Sequence, residues 1–271
     1  MVLLVVTLGF YLTAGALFIT GLATGRRSIG AWAFGLGATG LGVQTVAILI
    51  RTFELHAAPF TNLFGSLVFF AWAIMAVYLV MERGQRIAAI GAFACLTASA
   101  CIGGSLFIPK EISQTLVPAL NSPWSSVHIA SCLIAYAGFV LAFGSALAYG
   151  LQERLLKAKR INSLQRHLPP LDMLDHLAYR MVAFSFPMLT LGIITGALWA
   201  QSAWGGYWNW DPKEVWSLIT WLVYAVYLHL RLMQGWRGKW ANRLLLTGFA
   251  CIIITFLGVN LLSSGLHKYN W

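Results

Sequence analysis

Eight long apolar segments determine what this chain can fold into. Each approaches or exceeds the roughly 20 residues that a helix needs to cross a bilayer, and helices satisfy the backbone polar groups where no water is present. We therefore predict an all-α integral membrane bundle, with residues 1–271 forming a single transmembrane domain. The segments lie at about residues 2–24, 29–50, 63–81, 87–104, 127–150, 179–200, 213–231 and 244–266.

The basic residues predict how the bundle lies in the membrane. Fourteen of the 18 Lys and Arg residues fall in alternate loops, beginning with the loop after the first span. The exceptions are Arg51, Lys110, Lys213 and Lys268. Because cytoplasmic loops are rich in Lys and Arg, we expect both termini to lie outside the cytoplasm and residues 2–24 to remain as a span. The net charge of +10 then reflects topology and the lipid bilayer, and nucleic acid is not an expected partner.

The stretch from Trp199 to Trp221, WAQSAWGGYWNWDPKEVWSLITW, contains six of the twelve tryptophans. It also contains a helix-start pattern, in which Asp211 caps, Pro212 occupies the first helical position and Glu214 reaches back to the cap. A belt of aromatic residues at the lipid headgroups explains one or two tryptophans in such a loop. It does not explain so many around two acids and two glycines. The stretch therefore favours a flat apolar ligand surface.

Two histidines are predicted to lie at the same membrane level as this loop. His128 opens the fifth span, and His267 closes the eighth. Ser125 or Ser126 is expected to cap the fifth span and to place His128 in its first turn. Two imidazoles beside an apolar aromatic shelf suit a flat macrocycle whose metal takes two axial nitrogens, and haem is that ligand. For either histidine alone, an interfacial polar residue is the simpler interpretation.

The remaining histidines have less specific surroundings. His229 lies roughly 26 Å along its helix from the loop, near the cytoplasmic end, where a residue that reaches the headgroups is an alternative to a functional one. His56, in an external loop, is either a ligand or a solvated residue. The basic stretch 151–178 is expected to form an amphipathic elbow on the membrane, with His167 and His176 as surface residues.

The motif WGGYWNWDPKEVW resembles the tryptophan-rich WWD signature of haem-handling membrane proteins. Further stretches extend the resemblance, over roughly residues 50–271, to the CcsA/ResC family of System II cytochrome c biogenesis proteins. These stretches are HAAPFTNLFGS, LDMLDHLAYRMVAFSFPMLTLGIITGALWA, ITWLVYAVYLHLR and GVNLLSSGLHKY. The family attaches haem b, delivered across the membrane, to the CxxCH cysteines of apocytochrome c through thioether bonds. The resemblance thus implies a haem lyase (holocytochrome c synthetase) subunit in the bacterial cytoplasmic membrane, facing the periplasm, or in a plastid's thylakoid membrane.

The resemblance also implies roles for single residues. His128 and His267 match the family's two external haem-ligating histidines, and His229 matches a membrane-embedded histidine that binds haem transiently on its way from the inside. Gly65 stands where the family often has an acid. The family works with a second membrane subunit, CcsB/ResB, for which this chain contains no candidate. The candidate haem-binding residues are His128, His229, His267, Trp204, Gly205, Trp208, Trp210, Asp211 and Trp216.

Two other functions use parts of the same pattern. A haem transporter or chaperone without ligase activity, similar to the haem-delivery protein of System I, needs the same loop and histidines, although eight spans favour the System II branch. An ion-coupled transporter needs carboxylates or broken helices at mid-membrane. All eight acidic residues, however, lie in loops or near the ends of the predicted spans. The pattern therefore favours haem attachment over ion transport.

Overall fold

A computed structural model describes residues 1–56, 58–82, 87–109, 122–159 and 163–258 of the chain. Over these ranges the backbone forms nine α-helices and no strand, and the last helix passes into a π-helical turn at Ile254–Gly258. The helices are α1 (Val2–Thr24), α2 (Arg27–Leu55), α3 (Leu63–Met81), α4 (Ala88–Ser105), α5 (Pro123–Lys157), α6 (Ser163–His167), α7 (Leu171–Trp204), α8 (Pro212–Met233) and α9 (Lys239–Ile253).

Eight of these helices, all but α6, are long and apolar enough to cross a membrane, when α9 is taken together with its π-helical continuation as far as Phe256. The predicted all-α membrane bundle is therefore confirmed. The helices α5 and α7, at 35 and 34 residues, are longer than their apolar runs because polar turns continue each helix past its apolar part. The elbow predicted at 151–178 is accordingly replaced by the end of α5, the short α6 packed against α1, and the start of α7.

The start of α5 also differs from the prediction. Ser122 is the cap, since its side chain accepts a backbone N–H at 3.3 Å and Pro123 occupies the first helical position. A proline there has a φ angle that suits the helix start, so the prediction that Ser125 or Ser126 caps α5 was wrong. The Ser125 hydroxyl instead donates to the carbonyl of Ser122 at 2.7 Å. His128 consequently lies in the second turn of α5, not the first.

The helices α5 and α7 form the most extensive helix pair, and α7 packs in turn against α8. The α5–α7 pair is antiparallel, because His128 near the start of α5 contacts Gly192 in the second half of α7. Small residues such as Gly138, which faces Ser185, let the two backbones approach closely. The start of α5, the end of α7 and the start of α8 therefore share one end of the bundle. We call it the loop end, after the tryptophan loop (residues 205–211) between α7 and α8.

Candidate functional site

The tryptophan loop is bounded by two well-defined helix ends. Helix α7 ends where Gly205 adopts a φ of 77° and donates its N–H to the carbonyl of Gln201 at 3.1 Å, a left-handed cap that favours glycine. Helix α8 begins with a capping box, in which Asp211 accepts from the N–H of Lys213 at 2.9 Å and Glu214 accepts from the N–H of Asp211 at 3.1 Å. The predicted helix start is confirmed, and both carboxylates serve to build the loop.

Trp210 is held in a strained backbone conformation within this loop. Its φ is 54°, in the left-handed region, which costs a bulky residue about 1–3 kcal/mol. One carboxylate oxygen of Glu214 enforces it, because this atom accepts from the backbone N–H groups of Asn209 at 2.8 Å and Asp211 at 3.1 Å, on either side of Trp210. The Trp210 side chain is 76% exposed and meets Trp208 edge to face at 5.9 Å. Glu214 therefore frames a loop that projects an indole away from the protein.

His128 has one ring nitrogen engaged and the other available. Its Nδ1 lies 2.7 Å from the carbonyl oxygen of Gly192 in α7. A carbonyl oxygen only accepts, so Nδ1 carries the proton, and in the neutral ring the lone pair is on Nε2. Within the ranges that the structure describes, no group hydrogen bonds to Nε2. This is the arrangement in which a histidine can ligate a metal, because metal-binding histidines donate their other ring N–H to a fixed acceptor.

An aromatic wall extends from His128 towards the tryptophan loop. The ring of His128 stacks on Trp199, with centroids 5.8 Å apart and planes at 25°. Trp199 meets Trp204, the last residue of α7, at 4.9 Å. Trp199 itself is 7% exposed, so its indole is held in the protein interior behind the His128 ring. The end of α7 thus brings a tryptophan into contact with His128, while a haem site at this position stays a prediction.

Sequence reasoning did not single out Gly192, Gly196 or Trp199 as site residues. Their spacing places all three on one face of α7, which was the available signal. Lys213, in the first turn of α8, lies within electrostatic range of the His128 ring. Trp216 follows in the second turn and is half-buried. The start of α8 thus adds a positive charge and a further indole to the same end of the bundle.

His229 lies away from this site. It is exposed on α8, on the same face as Leu222 and Val226, whereas Arg231, two residues later, points into the bundle with a side chain 8% exposed. His229 and Arg231 are thus on opposite faces of α8 and cannot hold one side of the same ligand. Whether His229 contacts haem stays a prediction.

The remaining predicted positions are less informative. His167 and His176 are exposed, as predicted for surface residues. His56 is exposed as well, and whether it binds a ligand stays open. His267 lies in 259–271, outside the described residues, so its position relative to His128 stays a prediction. Gly65, the third residue of α3, packs directly against the backbone carbonyl of Pro59. An acidic side chain does not fit there without moving the loop, which explains the glycine.

Comparisons with known proteins identify the family. The profile of the family described as "Cytochrome C assembly protein" matches residues 60–267. The cytochrome c biogenesis protein CcsA of Microcystis aeruginosa is 37% identical over 289 residues, covering 88% of each chain. That of Synechocystis sp. is 34% identical over 291 residues, covering 87% of each chain. That of Guillardia theta is 37% identical over 262 residues, covering 88% of this chain and 85% of the relative.

A solved structure has the same fold. The cytochrome c haem lyase CcmF superimposes with a TM-score of 0.65 at 18% identity, and the match covers 93% of this chain and 45% of that one. This chain thus spans less than half of that protein, and the likeness establishes the fold alone.

The eight apolar helices and the CcsA relatives together define a multi-pass membrane protein. The chain belongs to the cytochrome c assembly protein family, in its CcsA-type branch, and acts in cytochrome c biogenesis.

Proposed function

We propose that the chain binds haem b at the loop end and presents it for covalent attachment to the CxxCH cysteines of apocytochrome c. One observation carries the proposal. His128 has its Nδ1 engaged by the carbonyl of Gly192 at 2.7 Å, while Nε2 forms no hydrogen bond with the described residues. The His128 ring stacks on Trp199, which meets Trp204 edge to face, and such aromatic surroundings suit a flat apolar ring better than a small polar substrate.

Each residue of the loop end has its own role in holding haem. His128 and His267 are the proposed axial ligands of the iron. Trp204, Trp208 and Trp210 supply apolar surface for the ring, and Gly205 lets the chain turn back towards it. The propionates meet positive charge at the start of α8, where Lys213 and the helix dipole both favour an anion. Asp211 and Glu214 act through the loop backbone and have no proton role.

Attachment adds each cysteine thiol across a haem vinyl group. Sulfur bonds to one vinyl carbon and a proton to the other, so the addition consumes no oxidant or reductant. The histidine of CxxCH takes the place of one axial imidazole and brings both thiols beside the vinyl groups. The chain contributes positioning, which can supply a large part of a barrier when two reactants are held in the right geometry.

Haem reaches this site from the other end of the bundle in the proposed scheme. His229 binds it transiently near the cytoplasmic face. Because the His229 side chain is exposed on α8, a haem held there lies at the edge of this chain, against lipid or a second membrane subunit. We propose a CcsB/ResB-type subunit as that partner. The membrane is the bacterial cytoplasmic membrane with the loop end outside, or the thylakoid membrane in a plastid.

Co-expression with an apocytochrome c reporter tests the proposal. The purified chain is expected to carry haem with a bis-histidine spectrum, and the reporter to retain haem after denaturation. Matched controls are His128→Ala in this chain and Cys→Ala at both reporter cysteines. Haem on the chain without covalent haem on the reporter, even with the partner subunit present, would indicate a haem transporter or chaperone. A chain that never carries haem would refute both functions.

A further inference from the structure

A recess in α7, formed by Gly192 and Gly196, receives the ring of His128. We propose that this recess positions His128 as a ligand of the haem iron. It determines which ring nitrogen carries the proton and how the ring is oriented, so that Nε2 faces the iron. The inference rests on the proposed haem-binding function and assigns roles to two glycines that never touch the haem.

Gly196 supplies the space. A Cβ atom at this position would lie 2.6 Å from Nδ1 and 2.8 Å from Cε1 of His128. Such distances are shorter than van der Waals contact, so any side chain at Gly196 displaces the imidazole. The absence of a side chain at Gly196 is thus required for the observed ring position.

Gly192 supplies the acceptor and the close approach of the helices. Its carbonyl accepts from Nδ1 at 2.7 Å, and the Thr195 hydroxyl lies 3.2 Å from the same oxygen. A Cβ at Gly192 would lie 2.5 Å from Sγ of Cys132, one turn after His128 in α5. Cys132 Sγ is itself 3.8 Å from Nδ1. The two backbones are therefore close enough for the hydrogen bond only because position 192 has no side chain.

The stacked Trp199 completes the restraint. The hydrogen bond sets which nitrogen faces α7, and the stacking at 5.8 Å limits rotation of the ring plane. Inside a protein such a hydrogen bond is electrostatically stronger than in water. Small residues also serve helix packing alone in membrane proteins, and under that alternative the glycines matter for stability but not for the ligand.

Gly196→Ala separates the two explanations, with Gly150→Ala as its control. Gly150 is in the same helix as His128 and has open space around its Cα, so alanine there is tolerated. We expect Gly196→Ala to weaken haem retention by roughly 10–100-fold, as loss of a supporting contact to a ligand does, and to change the electron paramagnetic resonance signature of any haem that remains. We expect Gly150→Ala to match the wild type in both respects.

Each outcome has a distinct meaning. Gly196→Ala protein with wild-type haem retention and spectrum, whatever its unfolding temperature, would overturn the positioning role while leaving the proposed function intact. Wild-type haem retention and spectrum in His128→Ala would remove His128 as an iron ligand and overturn the positioning role with it, whereas a wild-type chain that never carries haem would overturn the proposed function. If Gly196→Ala does not fold, nitrogen NMR of the haem-free wild-type protein, labelled with ¹⁵N-histidine, tests the proposal instead. A signal of a neutral imidazole protonated at Nδ1, present in the wild type and lost in His128→Ala, supports the positioning role of the recess. The absence of that signal in the wild type overturns it.

Discussion

Arg231 in α8 and Asp175 in α7 form a salt bridge of 2.6 Å, with side chains only 8% and 11% exposed. The other oxygen of Asp175 accepts from the N–H of Gly238 at 3.0 Å, immediately before α9. The guanidinium of Arg231 also lies over the ring of Tyr179, at 5.2 Å. This one pair joins three helices at the end opposite the tryptophan loop, and by turning Arg231 inward it leaves His229 on the exposed face of α8.

Removing either partner of this pair is expected to destabilise the protein. Arg231→Met or Asp175→Asn leaves a buried charge uncompensated, and we expect a loss of about 3–5 kcal/mol in the free energy of unfolding. The double variant should lose less than the sum of the two. Thermal unfolding in detergent measures the effect. Lys157→Met is the control, because the Lys157–Glu153 pair is exposed, at 65% and 24%, and is worth about 1 kcal/mol or less. An equal loss of stability in the variants of the buried pair and of the exposed pair would show that the Arg231–Asp175 salt bridge does not have this stabilising role.

His229→Ala is expected to deplete haem at the loop end without unfolding the protein, because an imidazole near the inner end of α8 is the proposed first contact. Val226→Ala, on the same exposed face and 47% exposed, is the matched control and should retain normal haem. Haem content per purified protein and cytochrome c yield are the measurements. Wild-type values for His229→Ala would make it an interfacial residue only.

Trp210→Gly is expected to separate stability from ligand binding. Glycine adopts a φ of 54° without strain, so we expect stability to be maintained or to rise by about 1 kcal/mol. Haem retention should fall because an exposed indole is lost. Trp32→Gly is the control, since Trp32 is 74% exposed but lies within α2, where glycine costs about 1 kcal/mol. A Trp210→Gly protein less stable than Trp32→Gly would show that the indole has a structural role.

Imidazole rescue is expected for the two proposed axial ligands. His128→Ala and His267→Ala should each lose cytochrome c maturation and change the haem spectrum. Truncation leaves a void beside the iron, so added imidazole should restore much of the activity. Trp208→Ala should retain less haem and should not be rescued. Full activity of either histidine variant without imidazole would remove that residue from the site, and full activity of both would refute haem ligation.

A reporter that is active only outside the cytoplasm tests the orientation. Fused after Trp271, it should be active, because fourteen of 18 basic residues fall on the opposite side of the predicted spans. Fused in the turn between α8 and α9, at Gly235, it should be inactive. The reverse pattern would place the loop end, with His128 and the tryptophan loop, in the cytoplasm.

Local features of the chain could be predicted because their causes are local. The eight spans follow from apolar runs that must satisfy their own backbone in lipid. The capping box of Asp211 and Glu214 follows from contacts three residues apart. The start of α5 was predicted incorrectly, because Ser122 and Pro123 together are a stronger helix start than a serine within the turn that follows.

The details of the site were decided by contacts between helices. The histidine that presents Nε2 does so because Gly192, 64 residues away in sequence, provides a carbonyl at the crossing of α5 and α7. Nothing in the local pattern around His128 specifies that acceptor, the recess at Gly196 or the stacking on Trp199. The outward position of His229 likewise depends on which face of α8 Arg231 turns towards Asp175. Sequence alone thus determined the spans, the loop and the kind of ligand that we propose, whereas the packing of α5, α7 and α8 determined which side chains and which nitrogen of His128 point into the proposed site, because side-chain direction depends on partners distant in sequence.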